Sequence, residues 1–578
     1  MTLFDHAAWR RAGHRADWAL LRLEQGLLAG GVAALVVLNV TVVVGRNLFG
    51  AGLPFAEELN QALMILLTFG GLAYAVREGR HIRMTAFYDL LQGRPRKALM
   101  VLICAGTAAL LWLLAWYALQ YVLQVQRVGS VTPALRIPLW CLYAVAPLGL
   151  ALVLAIMVVL LLLGFPMLVP LAAAAVLLLV LEYGFMTPAV LVQQMIGGVK
   201  PAVLTAVPLF IFAADVMTRG HTAQRLLDLV GSFVGHLRGG LPITTAASCT
   251  LFGAVSGSTQ ATVVAMGGPL RPRLLKAGYS DSFALALIIN ASDIALLIPP
   301  SIGMIVYGVV AGVSVGELFI AGIGPGLMIL LMFSAYCYVH ARRLGIAPEA
   351  RRGWRERGLA LRRAALPLGF PLIVVGGIYA GWFSPTEAAA MSVLYALVLE
   401  LLILRALSWR ELPAIALSTG VITAVVFILV GAGAAFSWMI SFAQVPQTLL
   451  GPLLEQAAAQ PYLLLVVIAV AYFVGCMFVD PIVVILILTP IFAPAISASG
   501  VDPVHVGVLV TLQAAIGSAT PPFGCDIFTA MAVFRRPYLE VIRATPPFVV
   551  LLLLATAVVI LVPQVSLLLR DLAFSRPA

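Results

Sequence analysis

Predominantly apolar runs long enough to cross a bilayer recur along this chain, and they limit its fold more than any other feature. A helix needs about 20 mostly apolar residues to span the hydrocarbon core. Residues 27–49, 56–76, 98–121 and 139–163 supply four such runs before the chain is a third complete. Composition agrees: 62% of the 578 residues are apolar and 10% are charged. A soluble chain is about 45–50% apolar and about a quarter charged. A soluble enzyme, a disordered protein and a secreted disulfide scaffold are thereby excluded. The expectation is an all-α polytopic membrane protein, with about 15–17 membrane helices and re-entrant hairpins at this length.

The net charge of +11 would point to nucleic acid if it were clustered on a soluble face. Instead it lies in short segments between the apolar runs. Arg10, Arg11, Arg15 and Arg22 precede the first run, which is itself long enough to remain in the bilayer. Six further basic residues fall within 77–97, and 342–363 is the densest basic stretch. Residues 411–534 hold no Lys or Arg. By the positive-inside rule this pattern sets topology, with a cytoplasmic N-terminus. The partner implied by the charge is the lipid bilayer, and no nucleic-acid binding is expected. The six cysteines (Cys104, Cys141, Cys249, Cys337, Cys476, Cys525) are scattered singly and read as small buried side chains.

Gly164-Phe165-Pro166 breaks the apolar pattern, and a further span covers about 167–183. Beyond it the segments shorten and are interrupted by Gly and Pro. A shift of 222 residues superimposes 253–325 on 475–547 without a gap. Gly253 then meets Gly475, Pro272 meets Pro494, and Gly278 meets Gly500. Pro299-Pro300 meets Pro521-Pro522, and Pro325 meets Pro547. Little else is identical; what repeats is the set of places where a helix must break. The first copy carries Arg271, Arg273 and Lys276 in a loop whose counterpart, 493–498, carries none. Opposite charge bias implies opposite orientation, hence an inverted repeat of the kind on which many secondary transporters are built.

Broken helices at membrane depth are tolerated where they are buried in protein or line a wet cavity. In transporters they offer half-helix N-termini to anions and bare carbonyls to cations. In the first copy, Ser256-Gly257-Ser258-Thr259 forms a candidate tip of a re-entrant hairpin, with Pro299-Pro300-Ser301 interrupting the next helix. In the second, Asp480-Pro481 opens the hairpin, and Thr520-Pro521-Pro522-Phe523-Gly524 is the matching interruption. Hydroxyls and bare carbonyls suit sodium; the same small residues also permit close helix packing. Asp293 and Asp526 are ionisable residues in apolar context and so candidates for sodium or proton coupling. Asp480 fits that role or a helix cap before Pro481. Glu387, three residues after Ser384, reads as half of a capping box. Glu57 and Glu58 read as compensation of a helix dipole, and Arg46 and Arg77 as snorkelling or acid-paired. Trp112, Trp116 and Tyr117 read as interfacial anchors. His81, His221, His236 and His505 show no metal spacing and read as polar or interfacial. An intramembrane hydrolase would need a base beside Ser256 or Ser258, and His505 is the sole histidine beyond residue 340. No nucleotide-binding GxxxxGK[ST] loop occurs.

The stretch RNLFGAGLPFAEELNQALMILLTFGGLAYAVREGRHIRM (46–84) resembles the small membrane subunit of tripartite ATP-independent periplasmic (TRAP) transporters. PLFIFAADVMTRG (208–220), GAVSGSTQAT (253–262), IPPSIGMIVYGVVAGVSVGELFIAGIGPG (298–326), GGIYAGWFSPTEAAA (376–390) and ATPPFG (519–524) resemble the large subunit. The resemblance implies a fusion: a four-helix scaffold over 1–165 and an elevator-type transport domain over 166–578. It implies a sodium-coupled importer in the bacterial inner membrane, with sodium as coupling ion and no other cofactor. A periplasmic solute-binding protein would deliver a small organic acid. An ion-coupled carrier acting without a binding protein is the alternative. Asp293 and Asp526 depart from the uncharged residues expected there, and a fixed negative charge disfavours a dianionic substrate.

Overall fold

A computed structural model describes residues 6–50, 52–77, 94–148, 168–183, 186–444, 460–522 and 524–574. Among these residues there is no strand; the one β contact is an isolated bridge between Val131 and Pro138. Ten helices are long and apolar enough to cross a membrane, and the pair Pro546–Leu561 and Gln564–Phe574, bent by 56°, makes an eleventh. Six shorter apolar helices join them. The chain is an all-α polytopic membrane protein, as its apolar runs require. Most of the basic turn expected over 77–97, with His81, lies outside the described residues. So do the end of the fourth run and the Gly164-Phe165-Pro166 break.

The chain forms two compact units: Met1–Ala202 with Arg410–Phe436, and Val203–Trp409 with Ser437–Ala578. In the first, the spans Ala19–Phe49, Ala56–Arg77 and Gly106–Val128 are accompanied by most of the late helix Leu412–Phe442. Small residues let these backbones approach. Gly71 fits against Leu28 and Ala424, and Gly198 against Ala434. Arg77 pairs with the buried Glu24 at 3.5 Å. Glu58 does more than face a helix dipole: it accepts the backbone N–H groups of Ala134 and Leu135 at 2.5 and 2.9 Å, tying down a loop. Trp112 and Trp116 stack at 6.4 Å on an exposed helix face, as membrane-interface anchors do. Cys141 is exposed, which corrects the expectation that every cysteine is buried.

The second unit carries the repeat. Its first hairpin is Gly240–Ser256 and Thr259–Lys276; its second is Pro461–Phe478 and Pro481–Ser499. Each hairpin leads into a broken helix: Asp281–Asp293 then Ile302–Ala311, and Pro503–Ala519 then Cys525–Phe534. The 222-residue shift carries every helix start in the first copy to within one residue of its counterpart. Local chemistry explains the boundaries. Ser258 and its counterpart Asp480 are both N-caps, as are Ser280 and its counterpart Asp502. A side-chain oxygen at this position satisfies an otherwise orphan helix N–H. Gly278 and Gly500 occupy the matching turns with positive φ. The expected capping box at Ser384 and Glu387 is present in full.

The copies interlock crosswise. Thr259–Lys276 of the first hairpin packs on Cys525–Phe534 of the second broken helix. Its pseudo-symmetric equivalent, Pro481–Ser499, packs on Ile302–Ala311. Arg271, near the base of the first hairpin, binds both oxygens of Asp281 at 2.6 and 2.7 Å, and Arg536 of the other copy approaches the same carboxylate at 3.0 Å.

Candidate functional site

At the first hairpin tip, one helix ends and the next begins within two residues. Gly257 takes a left-handed conformation (φ 62°), and Ser258 caps the following helix. A Cβ on Gly257 would stand 2.1 Å from the carbonyl oxygen of Pro300, which is backbone and cannot swing aside. Both the turn and the close approach therefore require glycine. The contact seats the tip directly on the first helix break. There Asp281–Asp293 passes through a short 3-10 turn, Ile294–Leu296, into the Pro299-Pro300 pair, and Ser301 caps Ile302–Ala311 through Met304 N–H.

The tip hydroxyls are partly committed to one another. Ser256 Oγ and Thr262 Oγ1 are 2.9 Å apart, and Thr262 donates to the Ser258 carbonyl at 2.8 Å. Thr259 turns the other way and donates to Asp526 Oδ1 at 2.8 Å, a bond between the two copies. Ser518 donates to the second oxygen, Oδ2, also at 2.8 Å. Asp526 is fully buried. Asp293 is 1% exposed, and neither of its oxygens has a hydrogen bond. Asp526 and Ser518 are its polar neighbours without meeting it in hydrogen-bond geometry.

The predicted residues thus divide. Ser256, Gly257, Ser258 and Thr259 form one tip; Pro300 lies under it, and Asp526 and Asp293 lie on its Thr259 side. Asp480 acts as the helix cap, accepting Ile482 N–H at 2.9 Å. Thr520 donates to the Ile516 carbonyl of its own helix at 2.5 Å. In the second break, the Pro522 carbonyl accepts Tyr538 O–H at 2.9 Å. Gly524 is pressed against the Ser518 carbonyl. Pro299 and Pro521 take part only as members of the two cis Pro-Pro pairs.

Sequence reasoning passed over Thr262, which closes the GAVSGSTQAT motif, and Ser518, which directly precedes ATPPFG. It also missed Glu400, which is fully buried and accepts Thr222 O–H at 2.7 Å. A lone acid within the apolar run 388–403 was the available signal. His505 is not interfacial: it is buried, with Nδ1 2.7 Å from Ser566 Oγ, and this bond leads away from the tip serines. A cavity of about 330 Å³ lined by Arg225, Asp228, Arg352, Glu356 and Arg363 includes none of the tip or break residues.

Buried helix breaks, paired by the 222-residue repeat and furnished with hydroxyls and carboxylates, suit a membrane transport protein. The chain belongs to the TRAP transporters and joins their small and large membrane subunits. Residues 35–167 match the DctQ component of tripartite ATP-independent periplasmic transporters, and 154–565 match the DctM component. The chain is 63% identical over 421 residues to the ectoine/5-hydroxyectoine TRAP transporter large permease protein UehC of Ruegeria pomeroyi, covering 73% of this chain and 98% of that protein. The ectoine TRAP transporter large permease protein TeaC of Halomonas elongata shows the same identity and coverage. The isethionate TRAP transporter permease protein DctMQ of Oleidesulfovibrio alaskensis is 27% identical over 95% of each chain. Such proteins are permeases, not enzymes, and the serine-hydrolase alternative falls. The chain is a multi-pass protein of the inner membrane, and its family implies a periplasmic substrate-binding protein and a small organic-acid substrate.

Proposed function

We propose that this chain imports ectoine or a closely similar zwitterion, driven by an inward sodium gradient and delivered by a periplasmic binding protein. The observation that carries the reading is the buried acid pair Asp293 and Asp526 in a chain 63% identical to two ectoine permeases. Ectoine joins a carboxylate to a cyclic amidine that is protonated at neutral pH. Two carboxylates in a low-dielectric site disfavour a dianion and leave room for a solute that brings its own positive charge.

Sodium would be held at the two helix breaks, where Ser256, Ser258 and Thr520 offer hydroxyl oxygens beside backbone carbonyls. Residues 1–165 would serve as scaffold, with the N-terminus in the cytoplasm, while the repeat-bearing part moves as an elevator. Its crosswise interlock supports such motion, because helices clamped in this way travel together more readily than they separate.

Uptake of radiolabelled ectoine into proteoliposomes, with and without the cognate binding protein, tests the reading. Uptake should require both that protein and an inward sodium gradient. Equal uptake in potassium-only buffer would defeat sodium coupling, and full uptake without the binding protein would establish the stand-alone carrier.

A further inference from the structure

The two acids break the symmetry that the rest of the site obeys. Under the 222-residue shift, Asp293 meets Ala515 and Asp526 meets Met304. The helix breaks and their caps occur in both copies; the acids occur once, as a pair assembled from opposite copies. A ligand suited to the duplicated oxygens is therefore a different ligand from the one suited to the acids. Sodium fits the first description.

The pair is unequal in what it already holds. Both Asp526 oxygens accept a hydroxyl, from Thr259 and Ser518, so its carboxylate is fixed in orientation. Asp293 is buried with both oxygens unpartnered. Among the described residues, no Lys or Arg forms an ion pair with either acid. An unpaired carboxylate at this depth is costly, and a partner that removes the deficit is correspondingly favoured.

We propose that Asp293, beside an Asp526 oriented by Thr259 and Ser518, binds the cationic end of the transported solute, a delocalised amidinium. Such a group spreads one positive charge over two N–H donors on different sides of a ring. It suits two separate carboxylate acceptors, and its charge-assisted hydrogen bonds are of the strong kind. The inference rests on the zwitterion reading above and adds to it the residues that select the charge.

The test compares ectoine with pyroglutamate, a ring carboxylate that lacks the cation, in proteoliposomes containing the full chain and its binding protein. Asp293→Asn should lower kcat/KM for ectoine by about 30-fold or more. It should leave the sodium concentration for half-maximal stabilisation in a thermal-shift assay within about twofold. Asp293→Glu, which keeps the charge, should recover part of the ectoine uptake. That shift also reports folding, and Asp526→Asn supplies a second variant with the same expectation if Asp293→Asn does not fold. Unchanged ectoine kinetics in a folded variant would overturn the inference and leave the zwitterion reading standing. So would a tenfold loss of sodium affinity with ectoine preference intact, which would assign the pair to sodium. Wild-type uptake of pyroglutamate with none of ectoine would overturn the zwitterion reading itself and this inference with it.

Discussion

The two repeats share a backbone plan and differ in side-chain chemistry at their hairpin tips. At the first tip the chain reads Ser256-Gly257-Ser258, and its counterpart reads Phe478-Val479-Asp480. The first tip turns through a left-handed glycine seated on Pro300, with hydroxyls around it. The second passes through extended Val479 and is pinned by an aspartate cap. The shared register thus places the helix breaks at matching points, while the tips differ in both backbone turn and side chains. The part common to both copies supports the fold and the helix breaks; the part that differs is where the proposed selectivity would lie.

The sharpest way to break this comparison is to exchange the tips. Gly257→Val places a branched side chain where φ is 62° and the Pro300 carbonyl blocks a Cβ. Strain and overpacking together should cost about 2–6 kcal/mol and abolish ectoine uptake. Val479→Gly, at a half-buried extended position, should lower the melting temperature of the purified protein far less. Equal losses from both would show the tips to be interchangeable.

The next effect concerns the bond between copies. Thr259→Val removes a hydroxyl donated to Asp526 and should destabilise the protein by about 1.5–3 kcal/mol, read as a lower melting temperature. Thr520→Val deletes only a bond to its own helix carbonyl. It should cost under about 1 kcal/mol in stability, while weakening sodium-dependent stabilisation if the second break holds the ion.

The smallest effect separates the two caps. Asp480 holds its N–H at 2.9 Å and Ser258 at 3.4 Å. Asp480→Ala should cost about 1–2 kcal/mol and Ser258→Ala about 0.5 kcal/mol. Sodium affinity should follow the reverse order, since Ser258 belongs to the proposed ion site and Asp480 is engaged as a cap. A sodium titration of the melting temperature for both variants checks the pair.

Much of this was legible in the chain. Apolar run lengths fix helices because lipid leaves no other partner for the backbone, and Gly and Pro mark breaks because their restrictions act locally. The 222-residue register therefore predicted the tips and the Pro-Pro breaks, and Ser384 with Glu387 predicted a capping box. Contacts between distant segments were not legible. Nothing local in Thr259 says that it reaches Asp526, or that Ser518 takes the other oxygen. Asp480 was left open between ligand and cap, because both roles ask for the same carboxylate before the same proline. His505 was left open between polar and interfacial, because nothing local says that a C-terminal helix brings Ser566 to it.

The hydrogen bond from Thr259 to Asp526 closes a sequence separation of 267 residues, which has a consequence for biogenesis. At about 5–20 residues per second, Asp526 leaves the ribosome on the order of 15–50 s after Thr259. Throughout that interval Thr259 and Asp293 lack the second-copy residues, Asp526 and Ser518, that they face in the finished fold. A chain truncated before residue 526 would present an incomplete polar groove to lipid, the kind of surface that membrane quality control removes. The end of translation thus completes the site, and an unfinished permease is marked as unfinished by its own unmatched repeat.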